Sequence, residues 1–388
     1  MLLAALSLTA AACSTDGRAS PSPTGSEQPA SEQPTPTETP SDQLTPERRS
    51  FTVAATGDVL VHPGVWMRAQ RDGAAEGTSY DFLPMFRQIR PHIEDADLAI
   101  CHMEVPFGPD GAAPKGFPLF SAPPQVADAL GRLGYDSCST ASNHGIDRGE
   151  DGVRRTLDAF DEAGVHHAGT ARSQQEHDTP NILDANGVKV AHLSYTYGHN
   201  NARPADKPWL INVLADDRII PDAEAARAAG AEVVIVSIHW GTEFVQSPTS
   251  AQTELATELM DSPAVDLVLG HHAHVVQPIQ QFGDRFVVYG MGNIVSAISH
   301  DYAQGASREG ILPEFTFTEG EDGRFTVTEI IVNPTYVDPL GGLHITDVAA
   351  ALADPEPGED VARLRRAQQR TAAVINSLGA DAEVVSVR

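Results

Sequence analysis

The sequence predicts an α/β domain that follows a long polar leader, and three observations support this prediction. Apolar runs typical of strands alternate with stretches of helical spacing over most of the chain. Polar residues that can bind metals or move protons follow five of the predicted strands. Residues 14–48 are instead dominated by Ser, Pro, Thr, Glu and Gln. The 388 residues are 41% hydrophobic, which is enough for a sizeable core in one large domain or two modest ones.

The first half of the folded part alternates strands with helices. Residues 51–56 alternate like a strand and lead directly into Gly57. Gly134 and Gly164 stand where the two predicted helices end, because glycine readily adopts the left-handed conformation of a helix terminus. In chain order we predict strands at 51–56, 97–101, 135–140 and 188–194, and helices at 125–133 and 152–160.

The second half continues the alternation and then changes character. The run at 232–238 is apolar enough to be buried on both faces, as in the centre of a parallel sheet. We predict helices at 221–229, 249–260 and about 359–378, strands at 232–238, 265–269 and 285–289, and two antiparallel strands at 314–317 and 324–332. We therefore place the folded domain at 49–340 and a C-terminal helical extension at 341–388.

The charge balance excludes one large class of partners. The formal net charge is −27, with 26 Lys and Arg against 53 Asp and Glu. Nucleic-acid binding needs a basic face, so we expect no nucleic-acid partner. An acidic protein that handles an anionic substrate must neutralise it locally, and a bound metal ion is one way to do so.

The N-terminus has the pattern of an export signal. Residues 1–13 are an apolar run that is too short to span a bilayer and ends in small residues and Cys13. This pattern resembles the cleavage site of bacterial lipoproteins, in which the cysteine receives lipid. We expect an extracytoplasmic protein anchored to the membrane through Cys13, with 14–48 as a disordered tether; a plain secretory signal is the alternative.

Two further cysteines, Cys101 and Cys138, fall in predicted strands. A disulfide between them is compatible with export. Disulfides between neighbouring parallel strands are geometrically awkward, however, so buried free thiols are the favoured interpretation.

Candidate functional residues collect at the ends of the predicted strands. Ligands of α/β sheets bind at the carboxyl ends of the strands, so side chains at these ends are expected to lie close together. A buried carboxylate such as Glu104 needs a metal or a cationic partner. The residues at these ends are Asp58, Glu104, Asn143, His144, His239, His271, His272 and His274.

The segment Gly270-His-His-Ala-His274 is the strongest single signal for a metal. In an extended loop, residues two apart point to the same side, which pairs His272 with His274; His271 with His274 is the competing pair. Imidazole together with carboxylate favours Zn, Mn or Fe over Ca or Mg. Glu243, which follows the His239 motif, is expected to contact substrate or to orient a ligand.

The number of candidate ligands points to more than one metal ion. A closed zinc site needs about four ligands, whereas Asp58, Glu104, Asn143, His239, His272 and His274 offer six. Two ions bridged by one carboxylate would use them all, and such a pair can activate water and clamp a phosphoryl group. His144, beside Asn143, would then protonate the leaving oxygen.

Together these motifs resemble the CapA family of poly-γ-glutamate capsule biosynthesis proteins, which is related to the calcineurin-like metallophosphoesterases. The resemblance runs from about Phe51 to Asn293. It implies a four-layer αββα sandwich, in which two mixed sheets are flanked by helices, and a dinuclear metal site. It further implies that Asp58 and His274 serve one metal, that Asn143, His239 and His272 serve the other, that Glu104 bridges, and that His144 is the proton donor.

Three departures from the family pattern affect this assignment. The wider superfamily has a histidine two residues after the first aspartate, where this chain has Leu60; His62 either replaces it or lines the pocket. The Asn-Leu-Glu motif of the family reads His102-Met103-Glu104 here. The bridging carboxylate is typically Asp, so a bridging Glu104 is an inference.

The resemblance implies an exported metal-dependent hydrolase linked to the biosynthesis of a capsule or another envelope polymer. Its substrate would be a small phosphoester or an anionic polymer of the poly-γ-glutamate type, and its partners would be capsule synthase subunits. The alternative is a non-catalytic, metal-binding surface lipoprotein that serves as an accessory subunit of a polymer synthase or exporter.

Overall fold

Two β-sheets stack face to face, and helices cover their outer surfaces, in a computed structural model that describes residues 48–298, 302–339 and 342–388. Residues 48–388 form one compact unit. The proposed export signal, the tether and Cys13 lie outside the described residues. Within the described ranges, no helix combines the length and hydropathy needed to cross a bilayer.

The strands are numbered in chain order. They are β1 (Ser50–Val59), β2 (Leu98–Met103), β3 (Ser137–Ser139), β4 (His166–Ala168), β5 (Ile182–Ala185), β6 (Val188–Thr196), β7 (Val233–His239), β8 (Leu267–His271), β9 (Ile279–Phe282), β10 (Arg285–Val288), β11 (Asn293–Val295), β12 (Glu309–Glu319), β13 (Phe325–Val337), β14 (Ile345–Asp347) and β15 (Val385–Val387).

Both sheets mix parallel and antiparallel neighbours. The first has the order β14-β13-β12-β1-β2-β3-β4, with β11 pairing beside β1 and β15 beside β13. Its strands β1 to β4 run parallel, whereas β12 is antiparallel to both β1 and β13. The second sheet has the order β5-β6-β7-β8-β10-β9, in which β6, β7, β8 and β10 are parallel. The carboxyl ends of the parallel strands therefore lie at a common edge within each sheet.

The helices complete the two outer layers. They are α1 (Pro63–Glu76), α2 (Leu83–Phe86), α3 (Arg90–Glu94), α4 (Gln125–Leu133), α5 (Gly149–Ala163), α6 (Gln174–His177), α7 (Ile219–Ala228), α8 (Ser250–Asp261), α9 (Val348–Ala353) and α10 (Val361–Ile375). The helices α4 and α5 end at Gly134 and Gly164, both left-handed, as predicted.

Three apolar layers follow from the alternation of side chains along the strands. In β2, Leu98 and Ile100 face the second sheet, whereas Ala99 and Cys101 face the helices on the other side. The layer between the sheets joins these residues to Ile235 and others of β7, β8 and β10. The outer face of the second sheet packs against α7 and α8. The predicted four-layer αββα sandwich of two mixed sheets is therefore confirmed.

The C-terminal segment is more than a helical extension. Residues 341–388 contain α9 and α10 but also β14 and β15, which pair with β13 in the first sheet. These strands have three residues each, too short for the sequence pattern to indicate them. The end of the chain is thus built into the sandwich.

The expectation of free thiols is wrong. Cys101 and Cys138 are direct register partners on the parallel strands β2 and β3, and the structure joins them in a disulfide with their Cα atoms 4.4 Å apart. Both are fully buried under the first helical layer. Direct register brings the two Cα atoms to the short end of the distance range that a disulfide accepts, so neighbouring parallel strands do not prevent the bond.

Candidate metal centre

The polar residues singled out in the sequence meet in one place, between the carboxyl ends of strands from both sheets. The first sheet contributes Asp58 at the end of β1, Glu104 after β2 and Asn143 after β3. The second contributes His239 and His271, the last residues of β7 and β8. His272 and His274 follow in the next turn, and all seven side chains are buried. The structure thus places these strand-end side chains close together.

Asp58 lies at the centre of the group. Its Oδ2 atom is 3.0 Å from His274 Nδ1, and its Oδ1 atom is 3.3 Å from His271 Nδ1. The backbone N–H of His272 donates to Oδ2 over 3.2 Å. Burial favours the neutral acid, but the imidazoles of His271 and His274 outweigh it and hold the pKa of Asp58 well below its usual range. Asp58 is therefore a carboxylate, the form that binds metals.

Glu104 faces the same histidine from the other side. Its Oε1 atom is 3.7 Å from His274 Nε2, and its buried Oε2 atom has no hydrogen-bond partner. Burial raises the pKa of Glu104 to about 7, against the opposing effect of His274. Burial also opposes charge on His274, but Glu104 and Asp58 outweigh it and raise its pKa to about 9. Asp58, Glu104 and His274 each present a ligand atom within 4.8 Å of the others.

A second set of donors surrounds His239. Its Nε2 atom is 3.1 Å from the Oδ1 atom of Asn143, and its ring centroid is 4.6 Å from that of His272. His272, His274 and Glu243 also bring ligand atoms within 4.8 Å of one another. His272 and His274 both have positive φ angles, 84° and 54°. Non-glycine residues rarely adopt this conformation, and such strain is concentrated at functional turns.

His102 belongs to the cluster although the sequence did not single it out. Its Nε2 atom is 3.0 Å from His239 Nδ1, and its ring stacks on that of His271 with centroids 4.1 Å apart. With Asp58 and His271 it forms a third group of ligand atoms within 4.8 Å. A signal was present, because His102 shares the strand face of Leu98 and Ile100; the sequence did not reveal that this face meets the second sheet.

His144 stands beside the donors with a partner of its own. Its Nδ1 atom is 2.7 Å from Asp147 Oδ2, and its ring meets the face of Phe120 edge-on at 4.7 Å. Asp147 also accepts the backbone N–H of Phe120 over 2.7 Å. The amide Nδ2 of Asn200 lies 3.4 Å from His144 Nε2. Sequence reasoning missed Asp147, although its position three residues after His144 in a tight turn was visible.

His62 and Glu243 occupy different positions. His62 packs against Phe120 with ring centroids 5.6 Å apart, and burial together with nearby imidazoles lowers its pKa to about 4. Among the described residues, none of the three groups of donors includes His62. Glu243 is exposed and shares a group with His272 and His274.

The residues present fit a bound transition metal. Buried polar atoms are normally hydrogen-bonded, and each exception requires an explanation. Here Glu104 Oε2, both ring nitrogens of His271 and Nδ1 of His272 are buried without a hydrogen-bond partner. All of them border the donor groups, and imidazole with carboxylate is a donor set suited to Zn, Mn or Fe. Cations bound among these donors would give several of these atoms a partner.

Comparison with known proteins places this site in a family. A family model described as "Bacterial capsule synthesis protein PGA_cap" matches residues 52–297, more than half of the chain. The chain belongs to the PGA_cap family. The match spans the donors from Asp58 to His274, so the PGA_cap segment contains the whole candidate metal centre.

Curated relatives of this PGA_cap chain carry names from capsule biosynthesis. The capsule biosynthesis protein CapA of Bacillus anthracis is 28% identical over 64% of this chain and 60% of its own length. The PGA biosynthesis protein CapA of Bacillus subtilis is 28% identical over 54% of each chain. A probable polyglutamine synthesis accessory protein of Mycobacterium tuberculosis is 25% identical over 51% of this chain and 55% of its own. The chain thus spans roughly half to three-fifths of these relatives.

Solved structures also show similarity to this PGA_cap chain. A phosphatase from Mycoplasma pneumoniae covers 76% of this chain and 97% of its own at 12% identity, with a TM-score of 0.45. The calcineurin-like phosphoesterase YfkN from Bacillus subtilis covers 86% and 98% at 14% identity, with a TM-score of 0.40. Both scores lie below 0.5, so the fold assignment rests on the layers and strand order described above.

Proposed function

We propose that the protein is an exported metal-dependent hydrolase with a dinuclear centre of divalent Mn, Zn or Fe, which acts on an anionic substrate of the cell envelope. One observation carries this proposal. Buried donors from both sheets converge on a common volume with several of their polar atoms unpartnered, directly beside a His144–Asp147 pair. A purely structural role would leave those atoms hydrogen-bonded.

The ligands divide between two ions. Asp58 and His274 serve one ion, supported by their 3.0 Å approach. Asn143, His239 and His272 serve the other, supported by the contacts of His239 with both partners. Glu104 would contribute its carboxylate to both ions. Its buried Oε2 atom has no hydrogen-bond partner, which supports this role because that oxygen is available to an ion.

The chain's own side chains supply the proton chemistry. Bound ions of this kind lower the pKa of water and stabilise negative charge on an ester or acyl oxygen. Asp147 accepts a hydrogen bond from Nδ1–H of His144 and so fixes the ring orientation. The Nε2 atom is then the position from which His144 delivers a proton to the leaving oxygen. Phe120 shields one edge of the His144 ring and keeps it in place.

An anionic polymer of the poly-γ-glutamate type, or a small phosphoester, is the proposed substrate class. The protein carries a net charge of −27, so an anionic substrate requires a local positive charge such as bound metal. Relatives named for capsule and PGA biosynthesis support the polymer. Capsule synthase subunits are the proposed partners.

Metal analysis with a substrate screen tests the proposal. We expect about two transition-metal ions per purified chain, and hydrolysis of a phosphoester or of poly-γ-glutamate that a chelator abolishes and added metal restores. The measurements are elemental analysis and product release. Less than about one tightly bound ion per chain, with none taken up on addition, contradicts the dinuclear site.

A non-catalytic accessory role is the second candidate. The accessory-protein name of the Mycobacterium tuberculosis relative favours it. In this case the protein would bind metal with the same stoichiometry but release no product from any substrate in the screen. The intact His144–Asp147 pair supports the catalytic candidate instead.

We also propose that Cys13 carries a lipid that anchors the protein outside the cytoplasm. The apolar run and small residues before Cys13 and the polar segment after it support this. We expect the wild-type protein to incorporate labelled fatty acid and to sediment with membranes. Cys13→Ser should lose the label and appear in the soluble extracytoplasmic fraction. A wild-type protein without label would contradict lipidation and favour a plain secretory signal.

A further inference from the structure

We propose that His102 is a further metal ligand, which forms with Asp58 and His271 a deep donor group that one of the two ions occupies. The inference rests on the proposed metal-dependent function and names ligands beyond it. The ligand atoms of these three residues lie within 4.8 Å of one another, and each residue is at most 1% exposed. The group therefore lies in the buried interior of the site.

The two ring nitrogens of His102 have partners of different kinds, a hydroxyl at Nδ1 and the imidazole of His239 at Nε2. Its Nδ1 atom is 2.7 Å from Ser139 Oγ, and that hydroxyl donates to the backbone oxygen of Cys101 over 3.3 Å. Because the hydroxyl proton is used there, Ser139 accepts from Nδ1–H of His102. The lone pair is then on Nε2, which lies 3.0 Å from Nδ1 of His239 and would bind a cation in place of that contact. Metal-binding histidines show this arrangement, with the second nitrogen donating to a neighbouring polar group.

The ring of His271 lies near a carboxylate but makes no hydrogen bond. Both of its ring nitrogens are buried without a hydrogen bond, and its ring lies flat against that of His102. A buried polar group without a hydrogen bond destabilises the fold. Asp58 Oδ1 is 3.3 Å from Nδ1 of His271, so a cation between the carboxylate and the imidazole would remove that destabilisation.

His192 shows what a structural histidine looks like in the same sandwich. It is as buried as His102, but its Nδ1 atom is 2.8 Å from Ser137 Oγ and its Nε2 atom is 2.9 Å from Ser237 Oγ. Hydroxyls on both sides satisfy the ring. His102 has a hydroxyl on one side and the ring of His239 on the other, so the two rings differ in what faces Nε2.

Asp58 borders two of the donor groups. One oxygen faces His271 in the deep group, and the other faces His274 in the group that Asp58 forms with Glu104 and His274. Two imidazoles and a carboxylate suit Zn, Mn or Fe, and they leave coordination positions for water or substrate. His102, which stands where the family motif has Asn, thus adds a nitrogen donor in the buried interior of the site.

The test compares His102→Ala with His192→Ala, a matched removal of a buried imidazole. Metal per chain is measured by elemental analysis after dialysis, and affinity by calorimetry. We expect the wild type and His192→Ala to hold about two ions, and His102→Ala to hold about one or to bind the second at least about tenfold more weakly. Circular dichroism establishes that each variant is folded.

X-ray absorption of the metal-loaded wild type gives a second readout that needs no variant. With the deep group, the two ions together bind five imidazoles, those of His102, His239, His271, His272 and His274. Without it, they bind only the three imidazoles of His239, His272 and His274. Two ions in His102→Ala at wild-type affinity, or the smaller imidazole count, overturns the inference. A wild type that binds no ion overturns the proposed function itself, so the two failures are distinguishable.

Discussion

Replacing His144 by alanine is expected to lower turnover by about 10²–10⁴-fold for the substrate that the screen finds to be hydrolysed, while leaving the metal content unchanged. His144 lies beside the donor groups, but its Nδ1 atom is engaged by Asp147 at 2.7 Å, and it belongs to none of the groups found among the described residues. Its removal therefore eliminates proton delivery without removing a ligand. Steady-state kinetics together with elemental analysis measure the two effects separately.

Asp147→Asn is the companion variant. The amide keeps the size of the side chain but removes the charge that accepts Nδ1–H of His144. We expect a smaller fall in turnover than for His144→Ala, and a changed pH profile, because the ring is then less firmly oriented. If His144→Ala retained wild-type turnover with both ions bound, His144 would have no role in proton transfer.

The second large effect is expected for Gly270→Ala, which should lower the free energy of unfolding by about 3 kcal/mol or more. A Cβ atom at this position would overlap the backbone oxygen and carbon of Tyr289. Backbone atoms cannot rotate away as a flexible side chain can, so β8 would have to separate from its neighbour. Urea denaturation followed by circular dichroism measures the change.

Gly198→Ala is the matched control for this substitution. A Cβ atom at Gly198 meets no heavy atom within 4 Å, so we expect a change within about 0.5 kcal/mol. Gly270→Ala should also weaken metal binding, because Gly270 directly precedes His271 and His272. Equal unfolding midpoints for the two variants would show that β8 tolerates the added methyl group.

Most of the sheet order could not be read from the sequence, but most of the long elements could. The apolar runs that became β6, β7 and β8 were predicted to within a few residues, since their hydrophobic pattern is strong. Short edge strands such as β4 and β14 have three residues and carry little periodic signal. The helix α1 was missed, because it mixes Gly73 and polar residues with few apolar positions.

The motifs place polar residues at strand ends whatever the strand order. The sequence could therefore indicate that Asp58, Glu104 and the histidine cluster lie near one another, as the structure places them. It could not assign His102, since membership depends on which face of β2 meets the second sheet. The disulfide of Cys101 and Cys138 likewise depends on the register of β2 and β3, a long-range property.

The division of the donors between the two sheets has a consequence for the whole interior. Asp58, Glu104 and Asn143 are carried by one sheet, whereas His239 and the histidines at the end of β8 and just after it are carried by the other. The packing of the apolar layer between the sheets therefore determines the distances between the ligands of one sheet and those of the other. Catalytic groups tolerate displacements of only about 1 Å before rates fall. Conservative substitutions in that layer can thus preserve the fold yet change the distances between the ligands. Fewer substitutions are therefore tolerated there than the stability of the fold alone would allow.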